Sequence, residues 1–211
     1  MKQPKREKSG QGESNSLKRE GSGVKQIKKG SLYYLIGASG VGKDSLLNYV
    51  RPLLTKRADH PVLIAHRYIT RPVELTGENH IQLSEAEFLM RQQHDCFLFT
   101  WQSHDLYYGI GQEVADWLAK GINVVINGSR GYLKQATHIW PEIKPILVTV
   151  SLDKLQQRLE ARGRENAAQI QERLQRAAAF SQLTHPNLFT VSNDGSLEEG
   201  GEKLYQLLVA E

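Results

Sequence analysis

The chain has a single cysteine, Cys96, in 211 residues, so no disulfide can form within it. A reducing, cytoplasmic location is the compartment this usage predicts. No stretch approaches the ~20 consecutive apolar residues of a membrane-spanning helix, which argues against a membrane partner. The N-terminus is basic but no apolar run follows it, so a secretory signal is not expected. The seven histidines show no pair at metal-ligand spacing on one element, and His94 and Cys96 lack a second thiol, which argues against a structural zinc. Cys96 sits in an apolar stretch and is expected in the core. There is no internal repeat.

Charge is unevenly spread. Residues 1–30 hold nine Lys/Arg against three acids, whereas the remainder holds 18 against 20. The net charge of +4 therefore comes from the tail. The folded part is not basic, and no nucleic-acid partner is expected for it. Leu17, Val24 and Ile27 are the larger aliphatics of the tail apart from Met1. Such a segment buries too little surface to offset its ordering entropy and reads as a disordered extension, either solvated or tethering a polyanion or partner.

From residue 31 to 211 apolar runs alternate with amphipathic segments. The patterning predicts strands over Leu32–Ile36, Val62–His66, Cys96–Trp101, Ile122–Asn127, Ile146–Ser151 and Leu188–Ser192. It predicts helices over Asp44–Leu54, Ser84–Gln93, Gln112–Lys120, Gly131–Ile139, Leu152–Arg162, Ala168–Gln182 and Leu197–Val209. Ser84 with Glu87 and Ser196 with Glu199 have capping-box spacing. Several strands are apolar throughout, as in sheets covered on both faces. The alternation argues an α/β fold, a parallel sheet core flanked by helices. Residues 67–110 break the rhythm and are expected to form a small subdomain.

The segment Gly37-Ala38-Ser39-Gly40-Val41-Gly42-Lys43-Asp44-Ser45 lies between a predicted strand and helix. It has the phosphate-loop pattern G-x-x-x-x-G-K, whose glycines turn backbone amides toward phosphate oxygens while the helix dipole points at the same anion. Lys43 adds a mobile positive charge. Asp44 stands where Ser or Thr usually supplies a hydroxyl to Mg²⁺, and a carboxylate is also a hard ligand for that ion. It equally complements the helix dipole. Asn127 ends a predicted strand at the place where phosphate-loop proteins commonly carry a carboxylate, so Asp44 is read as restoring that acid.

Arg158 and Arg162 are four residues apart on one helix face. Gly163 then stops the helix, leaving Arg164 on a loop before a helix with Arg173. Beside a phosphate loop this arrangement, over about residues 158–173, suits an arginine-bearing lid that neutralises charge during phosphoryl transfer. Asn193 and Asp194 precede a capped helix and suit either turn chemistry or contact with a nucleotide base. Trp101, Trp117 and Trp140 read as packing residues, with Trp101 a candidate pocket wall.

The strand–loop–helix start, Thr70-Arg71-Pro72, Tyr107-Tyr108-Gly109 and Arg158-Leu-x-x-Arg162-Gly163 together resemble guanylate kinases over about residues 32–209. The fold this resemblance implies is the P-loop NTPase fold. Gly42-Lys43-Asp44, Ile69-Thr70-Arg71-Pro72 and Gly77-Glu78-Asn79-His80 more closely resemble the ribose 1,5-bisphosphate phosphokinases of phosphonate breakdown. That resemblance implies ATP and ribose 1,5-bisphosphate as substrates, 5-phosphoribosyl 1-diphosphate as product and Mg²⁺ as cofactor. It implies Lys43, Arg158, Arg162 and Arg173 around the donor phosphates. Residues 37–45 and Arg164 would hold the nucleotide, and Arg71, His80 and Tyr108 the acceptor. Arg67 is read either as an acceptor ligand or as a residue flanking a strand. Phe99 and Ile110 stand where guanylate kinases carry the glutamate and hydroxyl that grip guanine, a loss that disfavours that base. The rival readings are a guanylate kinase and a non-catalytic binding module of the same fold. A homodimer is compatible with the sequence.

Overall fold

The computed structural model describes residues 28–57, 59–73, 78–163, 166–178 and 183–210. Most of the basic tail, Gly77, Arg164 and the expected helical residues 179–182 lie outside them.

Strand β1 (Leu32–Ile36) is buried at all five positions. Its side chains alternate between the two faces of the sheet. Tyr33 and Leu35 pack with Leu46, Leu47 and Val50 of helix α1 (Lys43–Leu54) and with Leu204 and Leu208 of the C-terminal helix. Leu32, Tyr34 and Ile36 face Val114, Leu118, Leu133 and Ala136 on the other side. A strand sandwiched in this way must be apolar throughout, which explains its continuous run.

The main sheet has the order β2-β7-β1-β8-β9, with every neighbouring pair parallel. Its other strands are β2 (Val62–Ile64), β7 (Asn123–Asn127), β8 (Lys144–Thr149) and β9 (Phe189–Ser192). Strand β1 is central, so the chain leaving its carboxyl end emerges between β7 and β8. That is where ligands bind in such sheets. Helices α3 (Glu113–Ala119), α4 (Leu133–Ile139) and α7 (Leu197–Val209) complete the layers. Ser196 and Glu199 form the full capping box at α7, whereas at α2 (Glu85–Gln93) Ser84 accepts from the Glu87 amide.

Residues 67–111 build a second, mixed sheet of order β4-β3-β6-β5. It contains β3 (Arg67–Ile69), β4 (Ile81–Gln82), β5 (Phe97–Ser103) and β6 (Leu106–Gly111). The patterning anticipates β5 and misses the other three. Strands β5 and β6 meet at His104-Asp105, both with positive φ (51° and 58°). This is the geometry of a primed hairpin turn, usually formed by Asn-Gly. Phe99, Trp101, Tyr108 and Ile110 of this sheet join the core beneath β1, so the two sheets share one apolar interior. Cys96 departs from expectation: it precedes β5, whose buried positions are Phe99 and Trp101, and is exposed.

Helices α5 (Leu152–Arg162) and α6 (Ala167–Ala178) pack on each other through a small cluster of Leu155, Leu159, Ile170 and Leu174.

Candidate active site

The loop from Gly37 to Gly42 turns back on itself before α1. Gly42 has φ 95°, which favours glycine. A Cβ there would also fall 2.6 Å from Asn193 Nδ2. Asn193 donates to Val41 O at 2.7 Å, and Arg158 donates to Val41 O at 3.3 Å and Asn193 O at 2.8 Å. Asp194 accepts from the Ser151 amide at 2.6 Å and from Ser192 Oγ at 2.9 Å. These contacts brace the loop from outside. Two backbone carbonyls thus hold the Arg158 guanidinium against the outside of the phosphate loop, and it does not line the cavity.

On the inner side the loop borders a cavity of about 1140 Å³, whose far wall is the small sheet. Lys43 Nζ donates to Gly37 O at 2.7 Å and Ala38 O at 3.3 Å, so its ammonium lies over its own loop. Burial pulls its pKa down from the usual lysine value to about 8, and Asp44 partly opposes the shift. Arg173 reaches across from α6 to donate to Ser39 Oγ at 2.9 Å. Arg162 ends α5; its side chain, like Arg164, lies outside what the structure describes.

Asp44 lines the cavity and accepts from Asn127 Nδ2 at 2.9 Å. Its carboxylate reaches solvent through the cavity mouth. Surrounding protein still removes enough water to raise its pKa, and nearby Glu78 adds to the rise while Lys43, Arg67 and Arg71 oppose it. Asn127 is 4% exposed, and its Oδ1 has no hydrogen-bond partner. A carboxylate beside an unpaired amide oxygen is a hard donor set that fits Mg²⁺. Among the described residues no three His, Cys, Asp or Glu side chains converge as a metal cage.

Across the cavity Arg67 grips Glu78 with two parallel hydrogen bonds, from Nε and Nη2. The side chains are 14% and 10% exposed. Arg71 Nη2 lies 3.7 Å from the same carboxylate, and its Nε is buried without a partner. The Arg67 guanidinium also sits 5.2 Å from the centre of the Tyr108 ring. Arg67, Arg71 and Tyr108 thus come together on the wall facing the phosphate loop. His80 does not, and its placement is a correction. It is 5% exposed, absent from the cavity lining, and its ring nitrogens lie 3.0 Å from Glu78 O and Arg71 O. It pins the segment that carries the ion pair.

Several lining residues escaped the sequence reading. Glu78 was visible inside Gly77-Glu78-Asn79-His80, but its pairing was not. Arg130 follows β7 in Gly128-Ser129-Arg130 and lines the cavity with Tyr132. The signal available was a charged residue just past the carboxyl end of a buried strand. Tyr34 holds this loop: its hydroxyl accepts from the Ser129 amide at 2.9 Å and donates to Ser129 O at 3.0 Å. A Cβ on Gly128 would lie 2.2 Å from the Tyr34 ring. Among the described residues, five cationic side chains (Lys43, Arg67, Arg71, Arg130, Arg173) and two carboxylates (Asp44, Glu78) line the cavity, a balance suited to polyanionic ligands.

A phosphate loop at the switch point of a parallel sheet, facing a small sheet with cations, defines a P-loop phosphotransferase fold of the guanylate kinase type. The guanylate kinase family model matches residues 29–211. A guanylate kinase from Anaplasma phagocytophilum superposes with a TM-score of 0.61 at 16% identity, covering 87% of this chain and 86% of that one. Among curated relatives, ribose 1,5-bisphosphate phosphokinase PhnN of Psychromonas ingrahamii is 56% identical over 180 residues, which is 85% of this chain and 90% of that protein. The protein of the same name from Thiobacillus denitrificans is 51% identical, over 86% of this chain and 94% of its own length. The chain belongs to the ribose 1,5-bisphosphate phosphokinase PhnN family, within the guanylate kinase family. No helix among the described residues is long and apolar enough to cross a membrane.

Proposed function

We propose that the chain transfers the γ-phosphoryl group of ATP to ribose 1,5-bisphosphate, giving 5-phospho-α-D-ribose 1-diphosphate and ADP. One observation carries the reading: two anion cradles, the phosphate loop with Lys43 and the Arg67–Arg71 pair, face each other across one cavity. The naming of the PhnN relatives supports the same acceptor.

The residues divide the work as follows. Residues 37–45 hold the donor phosphates through backbone amides, with Lys43 on the β- and γ-phosphates. Arg173, bonded to Ser39 Oγ of the loop, would neutralise charge on the transferring group, the role that the family resemblance also implies for Arg162, with Arg164 on the nucleotide. Arg158 acts through the loop it braces. Arg67, Arg71 and Tyr108 hold the acceptor, and Arg130 faces it from the opposite rim. Asp44 and Asn127 Oδ1 would hold Mg²⁺. When bound, that ion neutralises charge on the donor phosphates. The acceptor atom is a phosphate oxygen, already ionised at neutral pH, so no side chain has to remove a proton. The bond from the γ-phosphorus to the bridging oxygen breaks, and a bond to the 1-phosphate oxygen forms. The protein supplies position and positive charge, which is sufficient for this chemistry.

The test is acceptor competition followed by ³¹P NMR. Ribose 1,5-bisphosphate should exceed GMP in kcat/KM by at least about 10²-fold, as expected where base-reading hydrogen bonds are missing. Preferential phosphorylation of GMP would overturn the reading. Asp44→Ser should raise the Mg²⁺ concentration needed for half-maximal rate; an unaltered dependence removes Asp44 from that role.

A further inference from the structure

The cavity wall opposite the phosphate loop is an aromatic series. Trp101 on β5 and Tyr108 on β6 are direct cross-strand neighbours, and their rings stack at 5.4 Å with planes 5° apart. Tyr132, from the turn after β7, stacks on the same indole at 5.7 Å and 28°. Arg67 lies over Tyr108. Beneath, Phe99 is 1% exposed and meets Tyr132 and Tyr34 edge-on. The stacking surface of the indole is thus taken by two tyrosines, and Tyr108 already carries a guanidinium. None of the buried unpaired polar atoms among the described residues belongs to these five aromatics.

A planar base needs either a free aromatic face or hydrogen-bonding groups matched to its edge. On this wall the Trp101 and Tyr108 rings are already engaged, by each other, by Tyr132 and by Arg67. The geometry points to the Tyr108–Trp101–Tyr132 stack as the specificity filter of the acceptor site. It fills the space in which a nucleobase would stack, and it admits acceptors whose recognition rests on phosphate groups around a non-aromatic ring. Tyr132 belongs to the loop fixed by Tyr34, so the filter is anchored to the main sheet as well as to the small one. The inference rests on the proposed reading that the acceptor lies between the small sheet and the phosphate loop.

The experiment compares the unaltered protein, Trp101→Ala and Tyr132→Leu, with ATP as donor. Turnover of ribose 1,5-bisphosphate and of GMP is followed by ³¹P NMR. GMP binding is measured calorimetrically with the donor site saturated by a non-hydrolysable ATP analogue. The ratio of GMP to ribose 1,5-bisphosphate kcat/KM should rise about tenfold or more in Trp101→Ala, and by a smaller factor in Tyr132→Leu. General loosening of the fold lowers both rates together and leaves the ratio in place. If circular dichroism shows that Trp101→Ala is unfolded, Trp101→Leu and Tyr132→Leu supply the ratio. An unchanged ratio and unchanged GMP affinity in the folded variants would overturn the filter, as would brisk GMP turnover by the unaltered protein. If the unaltered protein ignored ribose 1,5-bisphosphate while Trp101→Ala gained GMP affinity, the proposed reaction would fail and the filter would stand.

Discussion

The two sides of the cavity present positive charge by different means. The phosphate-loop side relies on main-chain geometry: glycines in left-handed conformations, a helix start, and a lysine lying on its own loop. The small-sheet side relies on side chains, and Arg67 there is already partnered by Glu78 and Tyr108. A main-chain cradle fits any nucleoside triphosphate. A side-chain cradle with a built-in carboxylate can be tuned to one acceptor, because each incoming phosphate must better the partner already present.

The contrast can be broken most severely at Lys43. Lys43→Met should cost on the order of 10³ in kcat, the scale of losing one charge-stabilising group in the transition state. Arg67→Met should act on the other side only. The KM for the sugar bisphosphate should rise on the order of 10²-fold, the loss expected for a bidentate charged contact, while ATP affinity measured by titration holds. A parallel loss of ATP binding would erase the division between the two sides.

Proton linkage sharpens the contrast further. Burial lowers the Lys43 pKa to about 8 in the ligand-free protein. The folded chain therefore carries fewer protons than the unfolded one between about pH 8 and the ordinary lysine range, and the cost of burying this charge is relieved as pH rises there. Bound triphosphate favours the charged lysine, so ATP binding at pH 8–9 should take up a proton. Affinity should be about tenfold weaker at pH 9 than at pH 7. Calorimetry in buffers of different ionisation enthalpy measures both. The smallest effect is expected at Arg158. Arg158→Met removes two hydrogen bonds behind the loop and should cost about 1.5 kcal/mol of stability, read by denaturant unfolding, with kcat reduced only several-fold.

Legibility from sequence followed the same division. The phosphate loop is a local pattern, so Gly37 to Asp44 could be placed from spacing alone, as could β1, whose apolar run reports burial on both faces. The small sheet is held together by contacts distant in sequence. Its hairpin turns on His104-Asp105, a pair without the usual Asn-Gly signature, and this hid β6. Glu78 reads as an ordinary surface acid until the fold brings Arg67 to it across eleven residues. His80 and Arg158 have the chemistry of phosphate ligands, and only the three-dimensional arrangement shows that backbone carbonyls occupy both. Cys96 lies ahead of β5, whose register shifts between Phe97 and Phe99 before the buried positions begin, and it is exposed.

One small feature sets the scale of the whole cavity. The Tyr34 hydroxyl clasps the main chain of Ser129, and three residues on, just past the end of the same strand, Gly37 opens the phosphate loop. A single rigid strand is thus the ruler between the two rims. An inserted or deleted residue between Tyr34 and Gly37 would shift one rim against the other by more than a bond length, whereas the same change in the linker before β2 would leave the gap unaltered.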